Sequence, residues 1–157
     1  MLIIVLSLVS ISATYSQQKF TIAGYIEQHK KVAQQLMKDT GVPASVILAV
    51  AIHESAYGNS RVAKNLNNHF GIKGKNNNKN IRSSFKGYES VFESYNDFVS
   101  LLKRKGSTQK LFENQGASDY TTWVRTISRS GYSATKGWSS KILSTIDRYN
   151  LNDFDVK

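Results

Sequence analysis

Apolar residues recurring at helical spacing over most of the chain, a single proline at the start of an apolar run, and one short stretch of strand-like alternation predict a mainly α (α+β) domain with one small β-hairpin. At 157 residues the chain is long enough for one domain with a sizeable core and too short for two ordinary ones.

Ile22, Ile26, Ala33, Leu36 and Met37 recur at roughly helical spacing among Lys, Gln and Glu, ahead of Asp39-Thr40-Gly41. That pattern predicts an amphipathic helix with a glycine stop. Pro43, the only proline, fits the first turn of the next helix, where its missing N–H costs nothing. This second helix is expected over about residues 43–57, ending at Gly58. Its interior, Val46, Ile47, Leu48, Val50, Ala51 and Ile52, is apolar on nearly every side, which marks a helix buried in the middle of the domain.

A short helix is expected around residues 60–66, followed by the stretch from Asn67 to Gly74 and an Asn- and Lys-rich loop tip at 75–80. Alternation over residues 81–88 suggests a short strand, so that Ile72 and Phe85 belong to a hairpin flanking the loop. From Ser90, the residues Val91, Phe92, Tyr95, Phe98, Val99, Leu101 and Leu102 return to helical spacing, with Glu93 three residues beyond Ser90 in a capping-box arrangement. Two further helices are expected at about 120–130 and 139–149, and Glu113 and Asp119 fall in loop positions with no assigned role.

Lys and Arg outnumber Asp and Glu by 21 to 11, a net charge of +10, and none of it lies in the first sixteen residues. An anionic polymer or surface is the expected partner. The basic residues are spread through Lys30-Lys31, 73–79 and 103–110 without a nucleic-acid-binding signature, so nucleic acid is not expected. With no cysteine there is no disulfide framework and no thiolate metal site.

Leu2 to Val9 runs apolar except for Ser7 before a smaller, more polar stretch. Residues 1–16 therefore read as an export signal cut near Ser16 or Gln17, leaving 17–157 as a single domain. The apolar run is shorter than the roughly 20 residues that span a bilayer. The expected location is the periplasm, the cell envelope or the outside of the cell, with no stable membrane insertion and a monomeric state.

Glu54 stands at the end of the apolar second helix. A carboxyl beside apolar neighbours pays a desolvation penalty for ionising, which favours the protonated form that a general acid needs. The alternative is a helix-end charge that simply faces water. The neighbouring His53 raises the question of a His-Glu-x-x-His zinc site, but Tyr57 occupies the second histidine position and neither His29 nor His69 restores the spacing. No metal or cofactor is expected.

Four stretches in order, Ala49 to Gly58, Asn67 to Gly74, Tyr88 to Phe98 and Gly131 to Thr135, resemble the bacterial N-acetylglucosaminidases of glycoside hydrolase family 73. That family includes the glucosaminidase domain of flagellar peptidoglycan hydrolases and many autolysins. The resemblance runs over about Gly41 to Leu151. It implies a lysozyme-like helical body with a small β-lobe, and a cleft between them that cuts the β-1,4 bond following N-acetylglucosamine in peptidoglycan.

By the same resemblance Glu54 is the general acid and Glu93 the second carboxylate, with Glu89 in reserve. Tyr132 falls in the Gly-Tyr block, which carries one residue more than the commoner spacing, and is placed by the resemblance among the catalytic residues, to hydrogen-bond the N-acetyl group or a catalytic water. Phe70 and Trp138 are candidates to line the cleft against a sugar, and Asn67 to bind substrate or hold the turn. Asp97 is expected to be solvated or paired on its helix. Glycoside hydrolysis needs an acid for the leaving oxygen and a second group to activate water or stabilise the cationic transition state, unless the substrate's own 2-acetamido group supplies the nucleophile. The competing readings are a lytic transglycosylase or muramidase of the same fold, and a non-catalytic basic module that binds the wall.

Overall fold

The structure, a computed structural model, describes residues 19–79, 81–113 and 119–155. The expected export signal lies outside the described residues. The chain is mainly helical, with α1 (Ile22–Thr40), α2 (Ala44–Glu54), α3 (Arg61–Leu66), α4 (Val91–Arg104), α5 (Gly106–Glu113), α6 (Tyr120–Arg129) and α7 (Trp138–Arg148), then a 3-10 turn at Leu151–Phe154. No helix among the described residues is long and apolar enough to cross a membrane.

Helix α2 is the hub, because a stretch with no polar side chain but Ser45 between Ala44 and Ile52 has no face to offer water. All of those residues are buried, against α1, α6, α7 and the 3-10 turn. Pro43 is the residue before the helix rather than part of its first turn, and it supplies no side-chain cap. The cap comes from the far end of the chain: Ser45 donates its amide to Asp155 Oδ1 at 2.8 Å and its hydroxyl to Oδ2 at 2.6 Å. A carboxylate at this position also meets the positive end of the helix dipole. Its burial nonetheless pushes the Asp155 pKa above the ordinary aspartate value, against the lowering effect of the Ser45 hydrogen bonds.

The expected extension of α2 to Tyr57 does not occur. Ala56, Tyr57 and Gly58 take φ of 49°, 44° and 80°, a left-handed turn that ends the helix at Glu54. Two consecutive non-glycine residues there carry local strain. Ser55, fully buried, holds the turn by donating its hydroxyl to Ala51 O at 2.6 Å and accepting from the Gly58 amide at 2.8 Å.

Helix α1 begins and ends as its sequence signals direct, with Thr21 accepting from the Gly24 amide and Gly41 in the left-handed conformation. Its inner face adds Tyr25, Ile26, His29, Ala33 and Leu36 to the core. Tyr25 Oη lies 2.6 Å from His69 Nδ1 and 2.9 Å from Tyr95 Oη, and the His29 ring packs on Tyr25. Burial pulls His29 down to about 4; burial and then the neighbouring His29 do the same to His69, so both are neutral at pH 7.

On α4, Ser90 Oγ accepts from the Glu93 amide at 3.3 Å, and Glu93 Oε2 accepts from the Glu89 amide at 3.0 Å. The box thus closes one residue ahead of the cap's own amide. Two elements go beyond the sequence expectation, the 3-10 turn and α5, in which Thr108 and Leu111 are buried. Glu113 is the last residue of α5 rather than a loop residue, and Asp119 caps α6 by accepting from the Thr122 amide at 2.8 Å.

Between α3 and α4 the expected hairpin is reduced to one antiparallel bridge, Lys73 with Phe85, and no strand forms among the described residues. Backbone hydrogen bonds run from the amides of Gly74, Lys86 and Gly87 to the carbonyls of Ser84, Ile72 and Lys75, and asparagine side chains add to them. Asn68 Nδ2 donates to the carbonyls of Ile72 and Lys86, both at 2.8 Å, while its Oδ1 accepts from the amides of Phe70 and Ile72. Asn76 Nδ2 reaches Ile81 O at 2.9 Å.

Candidate active site

Because α2 stops at Glu54, that carboxyl leaves the core half-buried at the point where three parts of the chain converge. Trp138, the first residue of α7 and 4% exposed, donates its indole N–H to Glu54 Oε1 at 3.0 Å. An indole can only donate, so this contact fixes the carboxyl's orientation. Oε2 lies on the side of Gly71, where a Cβ would come within 3.8 Å of it and of the Phe85 ring. Gly71 has φ of 64°, a conformation that suits glycine, and its bare Cα leaves space beside the carboxyl.

Tyr132 completes the group. Its hydroxyl donates to Phe70 O at 3.0 Å, and its ring lies 5.5 Å from Trp138 and 5.6 Å from Phe98. Burial, then the charges of Glu54 and Tyr88, raise its phenol well above the usual tyrosine range. It is a hydrogen-bond donor at any physiological pH. Glu54, Tyr132 and Trp138 are therefore brought together by the fold.

The other sequence candidates take different places. The Phe70 ring is 2% exposed and stacks on Phe98 at 4.3 Å, so its side chain packs in the core, and its carbonyl is what it presents to Tyr132. Asn67, left-handed at the end of α3, donates to the carbonyls of Tyr88 and Glu89 and ties the loop to the start of α4. Glu93 is exposed on the first turn of α4, with its carboxylate on the Glu89 amide. His53 Nε2 lies 2.7 Å from Thr145 Oγ1 on α7.

Glu93 also lines a groove of about 320 Å³ with Lys86, Tyr88, Asn96, Asp97, Ser100 and Arg104. At its floor Asp97 is paired: Oδ2 accepts from Lys86 Nζ at 2.7 Å and Tyr88 Oη at 2.9 Å, and Oδ1 from Arg104 at 3.4 Å. Burial works to raise the Asp97 pKa, but these donors outweigh it and hold the carboxyl below the ordinary aspartate value. Gly71 was missed as a neighbour of Glu54 because nothing in its local sequence marks an approach to the end of α2.

Residues 30–151 match the glucosaminidase family model, described as mannosyl-glycoprotein endo-beta-N-acetylglucosaminidase. The exo-glucosaminidase LytG of Bacillus subtilis (strain 168) is 30% identical over 148 residues, which cover 83% of this chain and 52% of that protein. An autolysin of Enterococcus faecalis is 27% identical over 94% of this chain and 22% of its own length. The chain spans about half, or less, of the length of these curated relatives.

Among solved structures, the catalytic domain of the autolysin Auto from Listeria monocytogenes aligns with a TM-score of 0.72 at 25% identity, covering 91% of this chain and 92% of that one. The glycoside hydrolase domain of Salmonella typhimurium FlgJ shares the fold, with a TM-score of 0.64 at 22% identity over 83% and 89% of the two chains.

Proposed function

The chain belongs to the glucosaminidase family of glycoside hydrolases, and from that premise we propose that it hydrolyses peptidoglycan as an endo-β-N-acetylglucosaminidase, cutting the β-1,4 bond after N-acetylglucosamine. The observation that carries the reading is the Glu54 carboxyl at the open end of a buried helix, with Oε1 held by Trp138 and Oε2 beside Gly71. Relatives named as autolysins and peptidoglycan hydrolases support a wall substrate. So does the net charge of +10, which attracts an anionic polymer.

In this reading Glu54 gives its proton to the leaving glycosidic oxygen as the C1–O bond breaks, water adds at C1, and the water's proton restores the acid. Tyr132, a protonated phenol next to Trp138, positions the sugar being cleaved. Segment 71–88 is the small lobe of a lysozyme-like cleft. Glu93 is the second carboxylate, acting when that lobe closes.

One observation favours a second mechanism. The Glu93 carboxylate is engaged by the Glu89 amide, and no Asp or Glu occurs between Glu54 and Glu89. The 2-acetamido oxygen of the substrate would then attack C1 in place of a protein carboxylate. We further propose that residues 1–16 export the chain, that 17–157 form its glucosaminidase domain, and that it works as a monomer on glycan strands in the envelope or outside the cell.

The test is the reducing-end sugar released from purified peptidoglycan by the wild type and by Glu54→Gln. Reducing N-acetylglucosamine ends, and a loss of at least ~10³-fold in the variant, are expected. Anhydro-muramic ends, or undiminished lysis by Glu54→Gln, would overturn the reading.

A further inference from the structure

We propose that the groove along α4 is a subsite for a short peptide carried by the glycan, with a carboxylate of that peptide held by Arg104 and Lys86. The inference rests on the hydrolase reading above. Glu93, Asp97, Ser100 and Arg104 follow one another at intervals of three to four residues and so line one face of α4. From Glu93 to Arg104 that face runs about 16 Å at the helical rise per residue. This is the length of about five residues of extended chain.

The chemistry of the walls separates a peptide from more sugar. Tyr88 is the one aromatic lining residue, and Lys86 Nζ sits over its ring, 5.0 Å from the centroid. The groove's aromatic ring is thus already met by a cation on one face, which leaves little for a pyranose to stack on. What it offers instead is charge and hydrogen bonding along its length.

Lys86 and Arg104 are balanced by Glu93 and Asp97, so the groove is no general trap for polyanions. Asp97, with a side chain 16% exposed, is already met by three donors and belongs to the floor. Arg104 is the reverse case: its guanidinium makes one long contact, 3.4 Å to Asp97, and its side chain is 63% exposed. The remaining N–H groups form a fork that matches a carboxylate. Asp97 orients that fork from below, and Lys86, with a side chain 41% exposed, adds a second cation.

In the hydrolase reading the groove meets the reacting sugar at Glu93, which lines it. Tyr88, whose hydroxyl is bonded to Asp97, forms the wall of the groove beside it. A substituent on the sugar next to the cleaved bond would leave the cleft along this path.

Initial rates on peptide-bearing glycan strands, and on the same strands stripped of peptide by an amidase, test the assignment. The wild type should show the lower KM on the peptide-bearing strands. Arg104→Gln should raise that KM by about tenfold, the worth of one charge-assisted hydrogen bond, and leave the stripped strands unaffected. Arg104→Lys should keep part of the preference and Arg104→Glu should abolish it, with the melting temperature of each variant confirming that it is folded.

Equal wild-type rates on the two substrates, or an Arg104→Gln defect of the same size on both, would overturn the peptide subsite while leaving the hydrolase intact. Cleavage of neither substrate by the wild type would instead remove the hydrolase reading, and the subsite with it.

Discussion

The helical body and the segment 71–88, the lobe of the proposed cleft, meet at Glu54 and are held by different forces. In the body, α2 is buried on every side from Ala44 to Ile52 and closed over by Tyr25, Tyr95, Phe98 and Trp123. Among the described residues of the lobe Ile81 is the one buried apolar side chain, and order comes from Asn68, Asn76, one bridge and the backbone bonds beside it. Apolar burial is non-directional and shared by many residues, whereas a side-chain-to-backbone hydrogen bond serves only the groups it touches. Damage to the body should therefore spread through the whole domain, and damage to the lobe should stay local.

The largest effect is expected in the body. Phe98, fully buried between Phe70 and Tyr132, should cost about 3–5 kcal/mol when replaced by alanine. Thermal denaturation should show one transition, shifted down as a whole. A Phe98→Ala protein with an unchanged melting temperature would break the contrast at its stronger end.

Asn68→Ala tests the weaker end. It removes a side chain 1% exposed that bonds two carbonyls and two amides, at a cost of ~2–3 kcal/mol for the groups left unpaired. Hydrogen exchange should accelerate across 71–88 while α2 and α6 keep their protection. Equal acceleration everywhere would mean that body and lobe are one cooperative unit.

The third test is acidity, which should act first on the body through His29 and His69. Both bind protons less readily when folded, at about 4, than at the unfolded value of 6.5. Between those values the unfolded chain holds more protons, so stability rises with pH and is lost as pH falls from about 6.5 towards 4. The loss is read from urea midpoints across that window. His69→Gln should flatten the profile, and a flat wild-type profile would take the two histidines out of the account.

Much of the body was legible because its signals are local. Gly41 stops α1, Ser90 caps α4, and the unbroken apolar run of α2 announces burial with Glu54 at its end. Helix α5 was not, since Gly106-Ser107-Thr108-Gln109-Lys110 has no strong periodicity, and Thr108 and Leu111 become buried only through tertiary packing. In the lobe the alternation of 81–88 is real, but its backbone pairing with 72–75 stays short among the described residues, and Asn68 and Asn76 hold the turns around it through contacts that no local pattern announces.

The site divides in the same way. Glu54 and Tyr132 stand in recognisable blocks, whereas the Trp138 contact joins residues 84 positions apart and could be proposed but not located from sequence. For Glu93, the capping pattern visible in the chain is also what engages its carboxylate in the fold.

The cap on Ser45 bears on the order in which the molecule is built. Its acceptor, Asp155, follows 110 positions later, so a ribosome finishes the helix bearing Glu54 long before it delivers the group that closes its first turn. Loop closure over that span must wait for the intervening helices. Until then the hub of the core keeps an open end, and the acid it carries lacks a settled support. An emerging chain is thus spared a working cleft until synthesis has passed position 155.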